Sequence, residues 1–178
     1  MLKTNKKIIT VLILLAILIS WGIKSATTRY DVTDEAIINA SPDIVFNAVV
    51  NEACGITSWW MPYVSIKPRK EAACGTGDLV DLTVNGEPPV KFTSKTVEII
   101  NHKMIKGKYV EGAFRGEYVW TFENVDGFTK LSFHWRTRPA ELLLQILAPF
   151  LPIEKNHSDT IQAGFKNLNL FLGQKQQR

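Results

Sequence analysis

Cysteine, histidine and unbalanced charge are all scarce in this chain, and each shortage argues against a class of chemistry. The 178 residues hold two cysteines, Cys54 and Cys74, and three histidines, His102, His134 and His157. Neither cysteine belongs to a C-x-x-C pair, and no histidines stand at H-x-x-x-H or H-E-x-x-H spacing, so a metal centre is not expected. No G-x-S-x-G elbow presents a nucleophile, and no carboxylates pair at helical spacing for acid–base work. The glycines at Gly75 and Gly77 are followed by neither G-K-[ST] nor a helix, which makes them a turn rather than a phosphate cradle. Internal repeats and low-complexity tracts are missing as well.

Charge of one sign is lacking once its location is considered. Formal net charge is +4, from 21 Lys and Arg against 17 Asp and Glu. Lys3, Lys6, Lys7 and Lys24 lie in or beside the first apolar segment, and without those four the counts are 17 and 17. A neutral remainder has no electrostatic footprint for DNA or RNA. With 46% hydrophobic residues, this length suits one core and a short appendage.

What is present begins with that appendage. Ile8 to Ile23 is an apolar run of 16 residues interrupted only by Thr10, Ser20 and Gly22. At a helical rise it would span roughly 24 Å, short of a hydrocarbon core of about 30 Å, a gap that snorkelling lysines and an interfacial Trp21 bridge. Residues 8–23 therefore read as a membrane anchor or, with Ser20-Trp21-Gly22 as a small-x-small cleavage site, as a signal peptide. The lysines preceding the run expect the N-terminus inside and the domain on the extracytoplasmic side, or secreted after cleavage. In such a compartment Cys54 and Cys74 have the option of a disulfide contributing about 3 kcal/mol. Two small buried apolar side chains is the alternative.

Along the chain, residues 1–24 form this signal segment, 25–30 a polar tether, 31–173 the domain and 174–178 a polar tail. Asp31 to Asn39 alternates as a strand. Ser41 is a natural N-cap with Pro42 in the first turn, and Ile44, Val45, Ala48 and Val49 share one helical face. A second short helix is expected over Glu52 to Trp59. From Tyr63 to Arg138, turn residues divide six strand candidates with no helix between them, the pattern of an antiparallel meander. Glu141 to Leu151 is apolar nearly all round, as a lid over a cavity or a loop dipping into a bilayer would be. His157 to Leu172 is an amphipathic helix with Ile161, Gly164, Phe165, Leu168 and Phe171 on its apolar side.

The segment from Ile38 to Phe46, the Trp59-Trp60 pair, the strand Tyr118 to Phe122 and the closing Gly164-Phe165-Lys166-Asn167-Leu168 resemble the START-like, or SRPBCC and Bet v 1-like, superfamily. The resemblance covers roughly residues 31–172. It implies an α+β helix-grip fold, a curved antiparallel sheet wrapped around a long C-terminal helix, with a cavity between them. A hydrophobic small molecule or lipid is the implied ligand.

Strand alternation then selects the lining. Phe114, Gly116, Tyr118, Trp120 and Phe122 share one face, and Leu131, Phe133 and Trp135 form a second aromatic row. Gly116 suits a sheet bend or a space for ligand. Trp59, Trp60, Phe92, Phe114, Tyr118, Trp120, Phe133, Trp135 and Phe165 are the candidate ligand-binding residues, no catalytic residue or cofactor being assigned. Adjacent tryptophans in a helix or strand cannot point the same way, so one is expected inside and the other at the rim. A cyclase or dehydratase using the same cavity is the alternative function, with Tyr118 and Glu98 as proton-transfer candidates. A protein-interaction module similar to chaperone-ATPase activators is a second alternative, suited to the cytosol.

Overall fold

The computed structural model describes residues 8–17, 20, 22, 28–70 and 75–176. Strand β1 (Tyr30–Ile38) leads into helix α1 (Pro42–Ala53); the strands β2 (Val64–Pro68), β3 (Leu79–Val84), β4 (Val90–Ile100), β5 (Met104–Gly112), β6 (Phe114–Val125) and β7 (Phe128–Pro139) follow. Helix α2 (Leu142–Leu147), a 3-10 turn (Ala148–Phe150) and the long helix α3 (Ile153–Gln176) close the chain. The strands form one seven-stranded antiparallel sheet in the order β1-β7-β6-β5-β4-β3-β2. Consecutive strands pair from β2 to β7, and β1 returns to pair with β7. This curled half-barrel with a helix in its concavity is the helix-grip architecture.

Local chemistry explains the breaks. Ser41 takes extended backbone angles before α1, Pro42 occupies the first turn, and Asp43 complements the positive end of the helix. The Ser41 hydroxyl bonds to the Asp43 carboxylate instead of capping the helix, which holds that carboxyl below its ordinary range. Helix α1 then ends in a Schellman motif: Gly55 sits at φ +69°, its N–H reaches Glu52 O at 3.0 Å, and Ile56 N–H reaches Asn51 O at 2.9 Å. That stop overturns the expected second helix over Glu52 to Trp59. Residues 54–63 are turns instead.

Curvature comes from irregular pairing. Strand β4 shifts register against β5 between Thr93 and Ser94 and again between Thr96 and Glu98, and each such bulge bends and twists the strand. Gly116 permits close packing between β6 and β7. At φ +143°, a side chain there would strike the backbone of Arg136 and Thr137, so this glycine serves a close strand approach and opens no ligand space.

One apolar cluster lies between the concave face and the helices. Ile38, Val45, Leu131, Phe165 and Leu168 are among its most deeply enclosed members. Among the described residues its members run from Tyr30 to Leu172, and none of residues 8–17 belongs to it. The convex face is solvated and laced with ion pairs, including Arg69 with Asp81 and Glu111, and Glu117 with Lys106 and Arg136.

The expected anchor over residues 8–23 falls partly outside the described residues. Residues 8–17 are helical with exposed apolar side chains. Among the described residues no helix is long and apolar enough to cross a membrane. The boundary between segment and tether near residues 24 and 25 also lies outside them. Cys54 is disulfide-bonded; its expected partner, Cys74, lies outside the described residues.

Candidate functional site: an aromatic cavity

Between the concave face and α3 lies a cavity of about 980 Å³. Its back wall is the pair of aromatic rows on β6 and β7. Trp120 and Phe133 sit 4.4 Å apart between ring centroids, with Tyr118 5.7 Å from Phe133 and Phe114 5.3 Å from Trp135. Cross-strand neighbours in an antiparallel pair place such rings in contact, and the register Tyr118 to Trp135 and Trp120 to Phe133 does so here. Gly107 faces Tyr118 across β5, and a side chain on that glycine would occupy the tyrosine ring's place.

Of the nine side chains chosen from sequence, Trp59, Trp60, Phe92, Phe114, Tyr118, Trp120, Phe133 and Trp135 line this cavity. Phe165 does not; it is enclosed in the core, edge-on to Trp120 at 6.1 Å. Trp59 and Trp60 correct the expectation of one indole inside and one at the rim. Both are buried, and their rings stack 5.4 Å apart at 11°. Turn geometry permits this, because adjacent side chains there are not forced to diverge.

A carboxylate that sequence patterning passed over holds the indole pair. Glu52, on the last turn of α1, is only 3% exposed. Its Oε2 accepts the Trp59 N–H at 2.9 Å and the Thr57 hydroxyl at 2.8 Å, and its Oε1 accepts the Trp60 N–H at 3.1 Å. A buried carboxylate is tolerable when its oxygens are saturated in this way. Each indole N–H is also used: Trp59 donates to Ala48 O at 3.1 Å and Trp60 to Thr160 O at 3.4 Å. Gly164 admits that second contact, since a side chain there would meet the Trp60 ring.

Polar groups reach the cavity from three more places. The Tyr118 hydroxyl lies 3.4 Å from Ser94 Oγ, and burial raises its pKa. Burial, and after it the neighbouring Tyr118, push the Tyr109 hydroxyl well above its ordinary value, opposed by a hydrogen bond from Trp135. His157, at the start of α3, stacks on Trp135 with centroids 4.1 Å apart and planes at 12°. Its Nε2 stands 3.8 Å from Oδ2 of the buried Asp34, and burial pushes its imidazole down to about 4. At that value the imidazole is neutral at pH 7; Lys91, Glu87 and Glu141 also border the cavity.

Glu98, whose facing the ambiguous register of its strand leaves open with the edge favoured, lies outside. The β4 irregularity after Thr96 rotates the strand, so Ile99 faces the cavity while Glu98 is exposed opposite Lys106. The residue offered as a proton-transfer group is outside. His134 lies on the outer face as expected and pairs with Asp31 at 2.6 Å. Among the described residues no cluster of histidine, cysteine and carboxylates suits a metal ion.

The mouth is covered by the apolar segment between β7 and α3. Leu143, Leu144, Leu147 and Leu151 line the cavity, the position of a lid. Several of the same residues also face solvent, Leu143 at 68% exposure, with Leu142 and Phe150 beside them at 73% and 71%.

Fold and site together define a helix-grip protein with an internal aromatic cavity. No protein-family model and no curated protein matches the chain. Solved structures do. A protein from Thermus thermophilus superposes with a TM-score of 0.62 at 18% identity, covering 79% of this chain and 94% of its own. The Zhui aromatase/cyclase from Streptomyces sp. R1128 gives 0.61 at 15% identity over 79% and 94%. A Thalictrum norcoclaurine synthase point mutant in complex with a transition-state analogue gives 0.60 at 13% identity over 84% and 97%. Likeness at this identity shows the shared fold alone.

Proposed function

We propose that this chain binds a hydrophobic small molecule or lipid in its cavity, with the domain held at the extracytoplasmic side of a membrane by residues 8–23. The cavity carries the reading: about 980 Å³ walled by aromatic rings is the setting in which apolar ligands are held. Tethering is supported by the apolar run and the lysines preceding it.

A cyclase or dehydratase working in the same cavity is the second reading. Likeness to an aromatase/cyclase and a synthase favours it, and Tyr118 keeps its expected place on the wall. Its weak point is the proton acceptor, because Glu98 lies outside and both cavity tyrosines hold their protons well into the basic range. The interaction-module reading draws on no residue of the site.

Native mass spectrometry of residues 27–178, exported and purified without delipidation, tests the carrier reading. A stoichiometric adduct recovered by organic extraction is expected, and Trp120→Ala or Trp135→Ala should weaken its retention. A clean apo mass, joined to a failure to bind any apolar probe, would overturn it. Protease protection of the full chain in membrane vesicles tests the location, with the domain expected on the extracytoplasmic face.

A further inference from the structure

Among the described residues, three buried side-chain atoms have no hydrogen-bond partner: Tyr30 Oη, Thr137 Oγ1 and His157 Nε2. Only His157 lines the cavity. Buried polar atoms are paired in the great majority of cases, so an unpaired one on a ligand-sized cavity calls for a cause. The ring is held firmly. Trp135 covers one face, Phe133 lies 5.7 Å away, and Nε2 is directed to Asp34 at 3.8 Å, too long for a hydrogen bond. Asp34 is fixed in turn by the Ser158 hydroxyl at 3.2 Å.

This arrangement selects a tautomer. A carboxylate beside Nε2 favours the proton on that nitrogen, which leaves Nδ1 with its lone pair. Among the described residues Nδ1 has no hydrogen-bond partner either, and it is not one of the fully enclosed unpaired atoms. The other buried polar groups on the wall are occupied: Tyr118 with Ser94, Tyr109 with Trp135, and Glu52 with three donors.

We propose that His157, positioned by Asp34, is a hydrogen-bond acceptor in the cavity wall for the hydroxyl of an otherwise apolar ligand. The inference rests on the cavity being a ligand site and narrows the ligand class to apolar alcohols or phenols. A hydrocarbon would leave the Nδ1 lone pair without a donor, and a carboxylate has no proton to offer it.

Two probes of the same shape separate these claims. Residues 28–178 contain every described member of the core, and their affinities for naphthalene and 2-naphthol are to be measured by fluorescence titration. Both probes should bind. His157→Phe should weaken 2-naphthol about tenfold, the size of one hydrogen bond, and leave naphthalene within about twofold. Asp34→Asn should act in the same direction. Loss of both probes to an equal degree in His157→Phe would overturn the acceptor role while sparing the cavity. Failure of unsubstituted protein to bind either probe would overturn the cavity reading and this inference with it. If His157→Phe does not fold, 15N NMR of the unsubstituted protein decides: the His157 Nδ1 resonance should move with 2-naphthol and stay with naphthalene. A resonance that responds equally to both rejects the proposal.

Discussion

The two ends of the cavity are built from similar apolar side chains and differ in what holds them. At the closed end, Trp59 and Trp60 are buried, stacked and fastened by Glu52, and Trp120 and Phe133 lie against them or against each other. At the mouth, α2 has no buried residue, and Leu142 is 73% exposed. Hydrophobicity alone does not distinguish a wall from a lid; the polar fastenings do. The closed end should therefore respond to mutation as a structural unit, and the mouth as a functional surface whose loss the fold tolerates.

Removing the fastening is the largest test. Glu52→Ala leaves two buried backbone donors and the Thr57 hydroxyl without their acceptor, at a cost of about 3 kcal/mol or more. Glu52→Gln keeps one carbonyl acceptor and should lose about half as much. Urea unfolding midpoints measure both, and tryptophan near-UV circular dichroism reports whether the stacked indoles persist.

Acid is the next way to strain the cavity wall. The imidazole of His157 is depressed to about 4 by burial, whereas in the unfolded chain it titrates near 6.5. Between those values the unfolded state binds more protons, so stability is full above about pH 6.5 and falls as pH drops toward 4. The loss is on the order of 3 kcal/mol, reduced by whatever attraction the charged ring gains from Asp34. Thermal melts from pH 7 to pH 4 should show this slope, and His157→Phe should flatten it. An unchanged slope in the variant would assign the acid sensitivity to other groups.

A smaller effect is expected at Gly164. A methyl group there presses on the Trp60 indole, so Gly164→Ala should cost about 1–2 kcal/mol even after its gain in helix propensity. Pairing it with Trp60→Phe, which gives the methyl room, should restore part of the loss. An additive outcome would mean that the contact is softer than its geometry.

These sites also mark how far the sequence could be read. Strand alternation placed five aromatic lining residues, Phe114, Tyr118, Trp120, Phe133 and Trp135, because β6 and β7 run regularly and period two fixes their faces. On β4 alternation left the register ambiguous, and a bulge after Thr96 turns Glu98 outward. Bulges leave little trace in a residue pattern. Phe165 was placed on the correct helix face, yet that face packs on the core at Phe165 and meets the cavity at Ile161 and Thr160, a distinction only the packing makes. Gly55 was a legible stop for α1, since glycine commonly occupies the position after a helix cap. Asp34, Glu52 and His157 were not legible as a set. They come from three elements, and nothing in their spacing signals that Glu52 and His157 line the cavity with Asp34 beside His157.

The mouth should give the smallest change in stability and a clear change in function. Leu142→Ser with Phe150→Ser replaces two apolar side chains that stand 73% and 71% exposed, so unfolding should shift by no more than about 0.5 kcal/mol per site. Both flank the leucines that cover the cavity, and an apolar ligand arriving from a bilayer must pass them. Transfer of a fluorescent acyl probe from phospholipid vesicles to the protein should slow several-fold, with little change in affinity for the same probe dissolved in water. Equal losses of transfer and affinity would make α2 part of the wall. Unchanged transfer would mean that ligands reach the cavity by another route, past the hairpin between β3 and β4, where Asn85 to Pro89 also border it.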